Sequence, residues 1–343
     1  MIKCKQAIQT RWQKKRAFHD CIREDWIKLT LIYAIIFAII GFVIMGCKDQ
    51  QNYKPVDFGK TISVARPEQN NSDRSTFRVA VAAMISPKET LDHYQKLLSY
   101  IGEKLDRDVK FIQRKTYDEI NELIRKGQVD MAFICTGPYA SGRERYGFEA
   151  LATPIVRGEP YYQSYLIVNR DSPFQRLEDL RGRKFAFTDP QSNTGALVPT
   201  YWLNEIGETP ESYFQSVNFT YSHDNSILAV AKSLVDGATV DSHIWEFYNR
   251  KDPSYTSKTR IIKKSIPFGS PPFVAASSLP EGLKTKVRNI LLTLHNEEAG
   301  QKILDELLID HFVPVQEEWY ESVRMIKQKV YGAQTPAVHT QES

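Results

Sequence analysis

The sequence predicts an α/β protein of two lobes joined by two hinge crossovers and preceded by an N-terminal membrane segment. Three observations carry that expectation. From Phe77 onward, short apolar runs alternate with amphipathic helical runs, which calls for a largely parallel sheet with helices on both faces. The alternation is interrupted by two strand-like runs with no convincing helix between them, ALATPIV and YYQSYLIVN, and then restarts. Ahead of all this, residues 29–46 carry no charged side chain.

The first 28 residues are basic: Lys3, Lys5, Arg11, Lys14, Lys15, Arg16, Arg23 and Lys28 outnumber Asp20, Glu24 and Asp25. Followed by an apolar run long enough to cross most of a bilayer as a helix, this is a topology signal that keeps the N-terminus cytoplasmic and puts the body outside. The run ends in Ile44-Met45-Gly46-Cys47, which resembles a bacterial lipobox and implies cleavage before Cys47 and lipid on its thiol. An uncleaved signal anchor with an incidental cysteine is the other reading. Both leave the body tethered outside the cytoplasmic membrane. Residues 48–76 are polar and lack apolar periodicity, as expected of a flexible tether.

The net charge is +4, much of it in that basic segment, so the body is nearly neutral and unlike a nucleic-acid binder. Of the four cysteines, Cys4, Cys21 and Cys47 lie at or before the membrane segment. Only Cys135 is in the body, which excludes an intramolecular disulfide there, and no Cys/His spacing suits zinc. No cofactor or metal is expected, and the chain is expected to be a monomer.

Within the body, FRVAVAAM, VKFIQR and VDMAFIC read as strands separated by helices, with Leu91, Tyr94, Leu97, Leu98 and Ile101 at helical spacing in the first. After the interruption come the strand KFAFTD, a helix from about residue 195 to 206, VNFTYS, a helix from 226 to 235, and ATVDS. A strand pair, RIIKKSI and FVAASSL, precedes a helical C-terminus, and residues 331–343 read as a disordered tail. The expected lobes are 77–165 with 265–330, and 166–264, with the cleft beside the carboxyl ends of parallel strands.

The segment TDPQSNTGALVPTYWL is the strongest local signal. A strand runs into Asp189 and Pro190, then Ser192, Asn193, Thr194 and Gly195 open a helix. Hydroxyl and amide residues there suit an N-cap, and free backbone N–H groups with two hydroxyls suit an oxyanion. A plain N-cap without ligand is the competing reading. A second strand end presents Ser222 and His223, with Asn225 as a candidate N-cap, and His223 could meet an anion as imidazolium or as an N–H donor. Asp241, Ser242 and His243 sit at a third strand end, where they either bind ligand or hold His223 and the hinge. In the other lobe, Thr136 and the loop after Cys135 are candidate anion contacts. Cys135 itself is read as inert.

These segments resemble the phosphate/phosphite/phosphonate substrate-binding proteins of ABC transporters, over roughly residues 77–320. The resemblance rests on YYQSYLIVNRDSPFQRLEDLRGRKFAFTDPQSNTGALVPTYWL, on SHDNSILAVAKSLVDGATVDS and on VDMAFICTGPY. It implies a two-lobed periplasmic-binding-protein type II fold that closes on a small phosphorus oxyanion and docks on a membrane permease. Ser192, Thr194 and adjacent amides would hold the phosphorus oxygens, with His223 a further contact and Tyr162 reaching in from the hinge. Three departures matter. Asn193 stands where relatives often carry a hydroxyl, Ile134 followed by Cys135 stands where some carry an aromatic, and the acidic residue for an amine is replaced within GSPPF, around Pro271. Phosphate, phosphite or a small alkylphosphonate is therefore expected rather than aminoethylphosphonate. A ligand-sensing module presented to a membrane-bound kinase is the alternative. An enzyme on this scaffold would need a nucleophile–base pair or a cofactor lysine, and neither is visible.

Overall fold

The computed structural model describes residues 62–64 and 76–332. The basic and apolar N-terminal segments, Cys47, most of the expected tether and the tail from 333 onward lie outside the described residues.

Strand β1 (Ile62–Val64) falls within the residues read as a tether and pairs antiparallel with β3 (Val109–Ile112). The reason is local, because an isoleucine and a valine flank one serine there, a pattern that suits a strand beside an open sheet edge. β2 (Phe77–Val81) leads to α1 (Pro87–Leu105), which starts with a proline in its first turn and ends at Asp106 in the left-handed region. α2 (Tyr117–Arg125) opens with a capping box between Thr116 and Glu119. β4 (Met131–Phe133), α3 (Thr136–Tyr146) and β5 (Phe148–Ile155) come next.

The chain then crosses through β6 (Tyr161–Tyr162) into β7 (Ser164–Asn169), β8 (Lys184–Phe187), α4 (Val198–Asn204), α5 (Pro210–Tyr213) and β9 (Ser216–Phe219). Beyond these lie α6 (His223–Ala231), β10 (Gly237–Asp241), α7 (Ser242–Lys251) and β11 (Thr259–Lys264). It returns through β12 (Phe268–Gly269) to β13 (Phe273–Ala276), α8 (Glu281–Thr293), α9 (Glu298–Leu307), β14 (His311–Val313) and α10 (Glu321–Tyr331).

Two sheets result. The first runs β1-β3-β2-β4-β13-β5-β14 and the second β11-β7-β10-β8-β9. Each has a parallel run, β3-β2-β4 and β10-β8-β9, but the returning strand β13 and the entering strand β7 pair antiparallel. The sheets are thus mixed rather than largely parallel, because each lobe must accept a strand from a chain that arrives from the other lobe. Alternate side chains enter opposite cores: Phe185 and Phe187 face one, Ala186 the other, and Leu166 and Val168 oppose Tyr165 and Ile167. Both sheet faces are buried, as helices on both sides require.

The crossovers run side by side. β6 pairs antiparallel with β12, and Gln163 breaks what reads in sequence as one strand. Its N–H donates to Ser242 Oγ at 2.9 Å, its carbonyl accepts from the Ser242 N–H, and its side chain donates to the Ser265 carbonyl. Ser164 and Ser265 bond each other's backbone as well. The chain can reverse lobes here with its polar backbone satisfied.

Candidate functional site

β8 delivers the central loop. After Phe187 the backbone turns through Thr188–Asp189–Pro190–Gln191, and Ser192 caps the helical turn beyond it, its Oγ accepting from the Gly195 N–H at 3.0 Å. That first turn, Asn193–Leu197, is wide: the Val198 N–H reaches back to the Asn193 carbonyl, an i to i+5 bond. Such a turn separates the first amides from the regular helical ladder and is frequent at functional sites. Gly195 permits it, because a Cβ there would sit 2.4 Å from Thr188 Oγ1.

Thr188, Ser192, Asn193 and Thr194 of this loop are all buried. Ser192 accepts with its lone pair, so its O–H is left to donate elsewhere. Asn193 donates through Nδ2 to Tyr162 Oη at 3.1 Å. The Asn193 Oδ1 and Thr194 Oγ1 atoms have no hydrogen-bond partner within the protein. Leaving a buried polar atom unpaired costs about 1–3 kcal/mol, so the Thr194 hydroxyl is a candidate donor for a ligand.

His223 is the first residue of α6, not the last of a strand, and Ser222 rather than Asn225 is the cap: Ser222 is extended and accepts from the Asn225 N–H. The shift arises because β9 ends at Phe219, three residues before the expected strand end. The histidine is 1% exposed, and burial drives its pKa down to about 3, so it is neutral. Its Nδ1 accepts from the Asp241 N–H at 3.1 Å and lies 3.0 Å from Thr188 Oγ1. With Nδ1 an acceptor, the proton sits on Nε2, and His223 is an N–H donor rather than an imidazolium.

Asp241 ends β10 and caps α7, accepting through Oδ1 from the N–H groups of His243 and Ile244. Burial pushes its pKa up to about 7, against the lowering effect of those two bonds. Ser242 and His243 are in the first turn of α7 rather than at a strand end. Ser242 locks the hinge, and His243 bonds Ser270 Oγ through Nε2 at 3.0 Å while its ring stacks on Tyr162 at 5.7 Å. Both serve the hinge.

From the first lobe, the α3 start meets the central loop closely. A Cβ on Gly137 would lie 2.4 Å from the Gln191 carbonyl oxygen, so only glycine fits. The backbone N–H groups of Asn193 and Gly137 point at the Cys135 sulfur, yet burial still raises its thiol to about 12. Cys135 is an inert thiol. Thr136 differs from expectation: its Oγ1 donates to the Gly269 carbonyl at 2.8 Å, so its proton secures the hinge and does not face an anion. The reason is β12, whose carbonyl passes beside the start of α3.

Two contributors were not legible in advance. Tyr117, at the start of α2, is buried with its Oη unpartnered, and it shares its surroundings with Cys135, Tyr162, Asp189 and Asp241. Its N–H donates across the lobes to Asp189 Oδ2 at 3.1 Å. The capping box at Thr116 signals the helix start, but nothing local says which loop it meets. Thr188 is the second, anchoring both Gly195 and His223.

Hydrogen bonds thus tie Ser192 to Gly195 and Asn193 to Tyr162, and through Thr188 join this loop to His223 and Asp241, with Tyr117 beside Asp189. The Thr194 and Tyr117 hydroxyls and the His223 Nε2–H are left as buried donors. Low dielectric strengthens such donors toward an anion. A two-lobed α/β chain with a donor-lined site at its strand ends and a two-strand hinge is a binding protein of the periplasmic type. The chain belongs to the family of periplasmic substrate-binding proteins of phosphonate ABC transporters, whose model matches residues 79–320. That family consists of extracytoplasmic transport components, not enzymes.

The chain is 25% identical over 247 residues to the phosphonates-binding periplasmic protein of Escherichia coli, covering 70% of this chain and 72% of that one. It is 26% identical over 287 residues to the phosphate-import protein PhnD of Mycolicibacterium smegmatis, covering 80% and 83%. In structure it is similar to a binding protein component of an ABC phosphonate transporter from Pseudomonas aeruginosa. That likeness has a TM-score of 0.72 and 24% identity, and covers 79% of this chain and 92% of the other.

Proposed function

We propose that the protein captures the phosphoryl head of phosphate, phosphite or a phosphonate by lobe closure and delivers it to a membrane permease. The observation that carries this is the set of buried donors without a protein acceptor, Thr194 Oγ1 and Tyr117 Oη, beside the Ser192 hydroxyl and the Nε2–H tautomer of His223. They lie on loops that hydrogen bonds bring together between the lobes, and a tetrahedral oxyanion has the acceptors to satisfy them. The names of the relatives, one phosphonate-binding and one phosphate-importing, support the same ligand class. Calorimetric titration of the purified protein with phosphate, phosphite, methylphosphonate and sulfate tests it. Tight binding of a phosphorus anion, with sulfate weaker, is the expected result. Silence across the panel from folded protein would sink the assignment.

The body works as a monomer held at the outer face of the cytoplasmic membrane, through lipid on Cys47 or through residues 29–46 as an uncleaved helix. Tethering raises its effective concentration at the permease. Metabolic labelling with palmitate separates the two anchors: label lost on Cys47→Ala supports the lipid, and no label in the parent protein supports the helix. Release of the parent protein from membranes by salt alone contradicts both.

A further inference from the structure

Beside Asp241 lies a cavity of about 600 Å³ between the lobes. Met84, Tyr94 and Phe133 wall it from the first lobe, Ile244 and Phe247 from the second, and Leu307 from α9. Phe133 stacks on Phe273 at 4.7 Å, so the aromatic wall is fixed. The exposed charged residues of the lining, Arg157, Arg250, Asp305 and Asp310, stand at its mouth. Its inner end abuts the oxyanion donors, since the Met84 carbonyl accepts from the His223 N–H at 2.9 Å and the Asp241 N–H donates to the His223 ring.

A space of this size is in the range of sites for organic ligands, with apolar walls between polar groups at the mouth and at the inner end. A bare phosphate or a methyl group on phosphorus would leave nearly all of it to water. We propose that the cavity seats the organic substituent of the ligand, and that the preferred ligand is a phosphonate or phosphate monoester bearing a large apolar or aromatic group. The inference rests on the oxyanion reading, with the phosphoryl head at Ser192–Gly195 and the substituent directed past Asp241 onto Phe133 and Tyr94. Apolar burial predicts affinity that rises about fourfold for each methylene added.

Calorimetry with phosphate, methylphosphonate, butylphosphonate and phenylphosphonate tests this, on the parent protein and on Val156→Trp and Ile244→Trp, which fill the cavity from opposite lobes. The expected result is binding that tightens from methyl to butyl and phenyl by an order of magnitude or more, a gain that both tryptophan variants lose while methylphosphonate affinity is kept. Methyl- and phenylphosphonate binding equally well, phenylphosphonate being excluded, or the gain surviving both variants would each overturn the substituent site and leave the oxyanion site standing. Failure of every phosphorus anion to bind would overturn the oxyanion reading, and this inference with it.

Discussion

At the residue scale, the site works with two groups whose charge is suppressed by burial. His223 has its pKa lowered to about 3, so the folded state refuses a proton that the unfolded chain accepts. Its contribution to stability is present above the ordinary histidine range and is lost as pH falls toward 3. Asp241 runs the other way. Its pKa is raised to about 7, so its contribution is present below the ordinary carboxylate range and is lost as pH rises through 7. Below that point the carboxyl is neutral beside the proposed oxyanion site, and above it a second negative charge would stand there. Phosphate affinity should therefore fall as pH rises above 7, by up to about tenfold per unit, relative to Asp241→Asn measured at the same pH. The comparison cancels the titration of the ligand itself, and parallel profiles for the two proteins would contradict the role given to Asp241. Chemistry of this kind was only partly legible. The sequence shows His223 near a strand end, but the neutral tautomer depends on the Asp241 N–H, eighteen positions away.

At the element scale, backbone approach decides the site more than side-chain identity does. The wide turn over Asn193–Leu197 and the start of α3 meet where Gly137 backs on the Gln191 carbonyl. Gly137→Ala should leave thermal stability of the separate lobes nearly intact and weaken oxyanion binding by about five- to a hundredfold, the range that overpacking by one methyl implies. Unchanged affinity in a calorimetric titration would mean that the lobes do not meet here in the bound protein. The loop containing Gly195 was legible because glycine after a run of hydroxyl residues at a strand end is a compositional signal. The meeting with Gly137 was not, because it joins two positions in different lobes. The boundaries at Ser222 and Gln163 were missed for a related reason. A cap and a lobe crossing are set by tertiary hydrogen bonds, not by periodicity.

At the scale of the whole molecule, the lobes are latched by polar contacts around the site. Tyr117 N–H bonds Asp189, Asn121 bonds the Gln191 side chain, Gln191 bonds Asp118, the His223 N–H bonds the Met84 carbonyl, and the Ser86 N–H bonds Asp224. The latch starts from the loop proposed to hold the anion, so a ligand bound there would favour the closed arrangement. The two-lobe plan was visible in the restarted alternation, whereas the mixed sheets were not. An antiparallel returning strand such as FVAA reads the same as a parallel one.

The most direct measurement is the change in calorimetric affinity for a phosphorus oxyanion on Thr194→Val and Ser192→Ala. Thr194→Val removes an oxygen that has no partner inside the protein, so the fold loses no hydrogen bond. Each removed hydrogen bond to a charged ligand should weaken binding about ten- to a hundredfold. Affinity unchanged in both variants would place the anion elsewhere in the molecule and contradict the account.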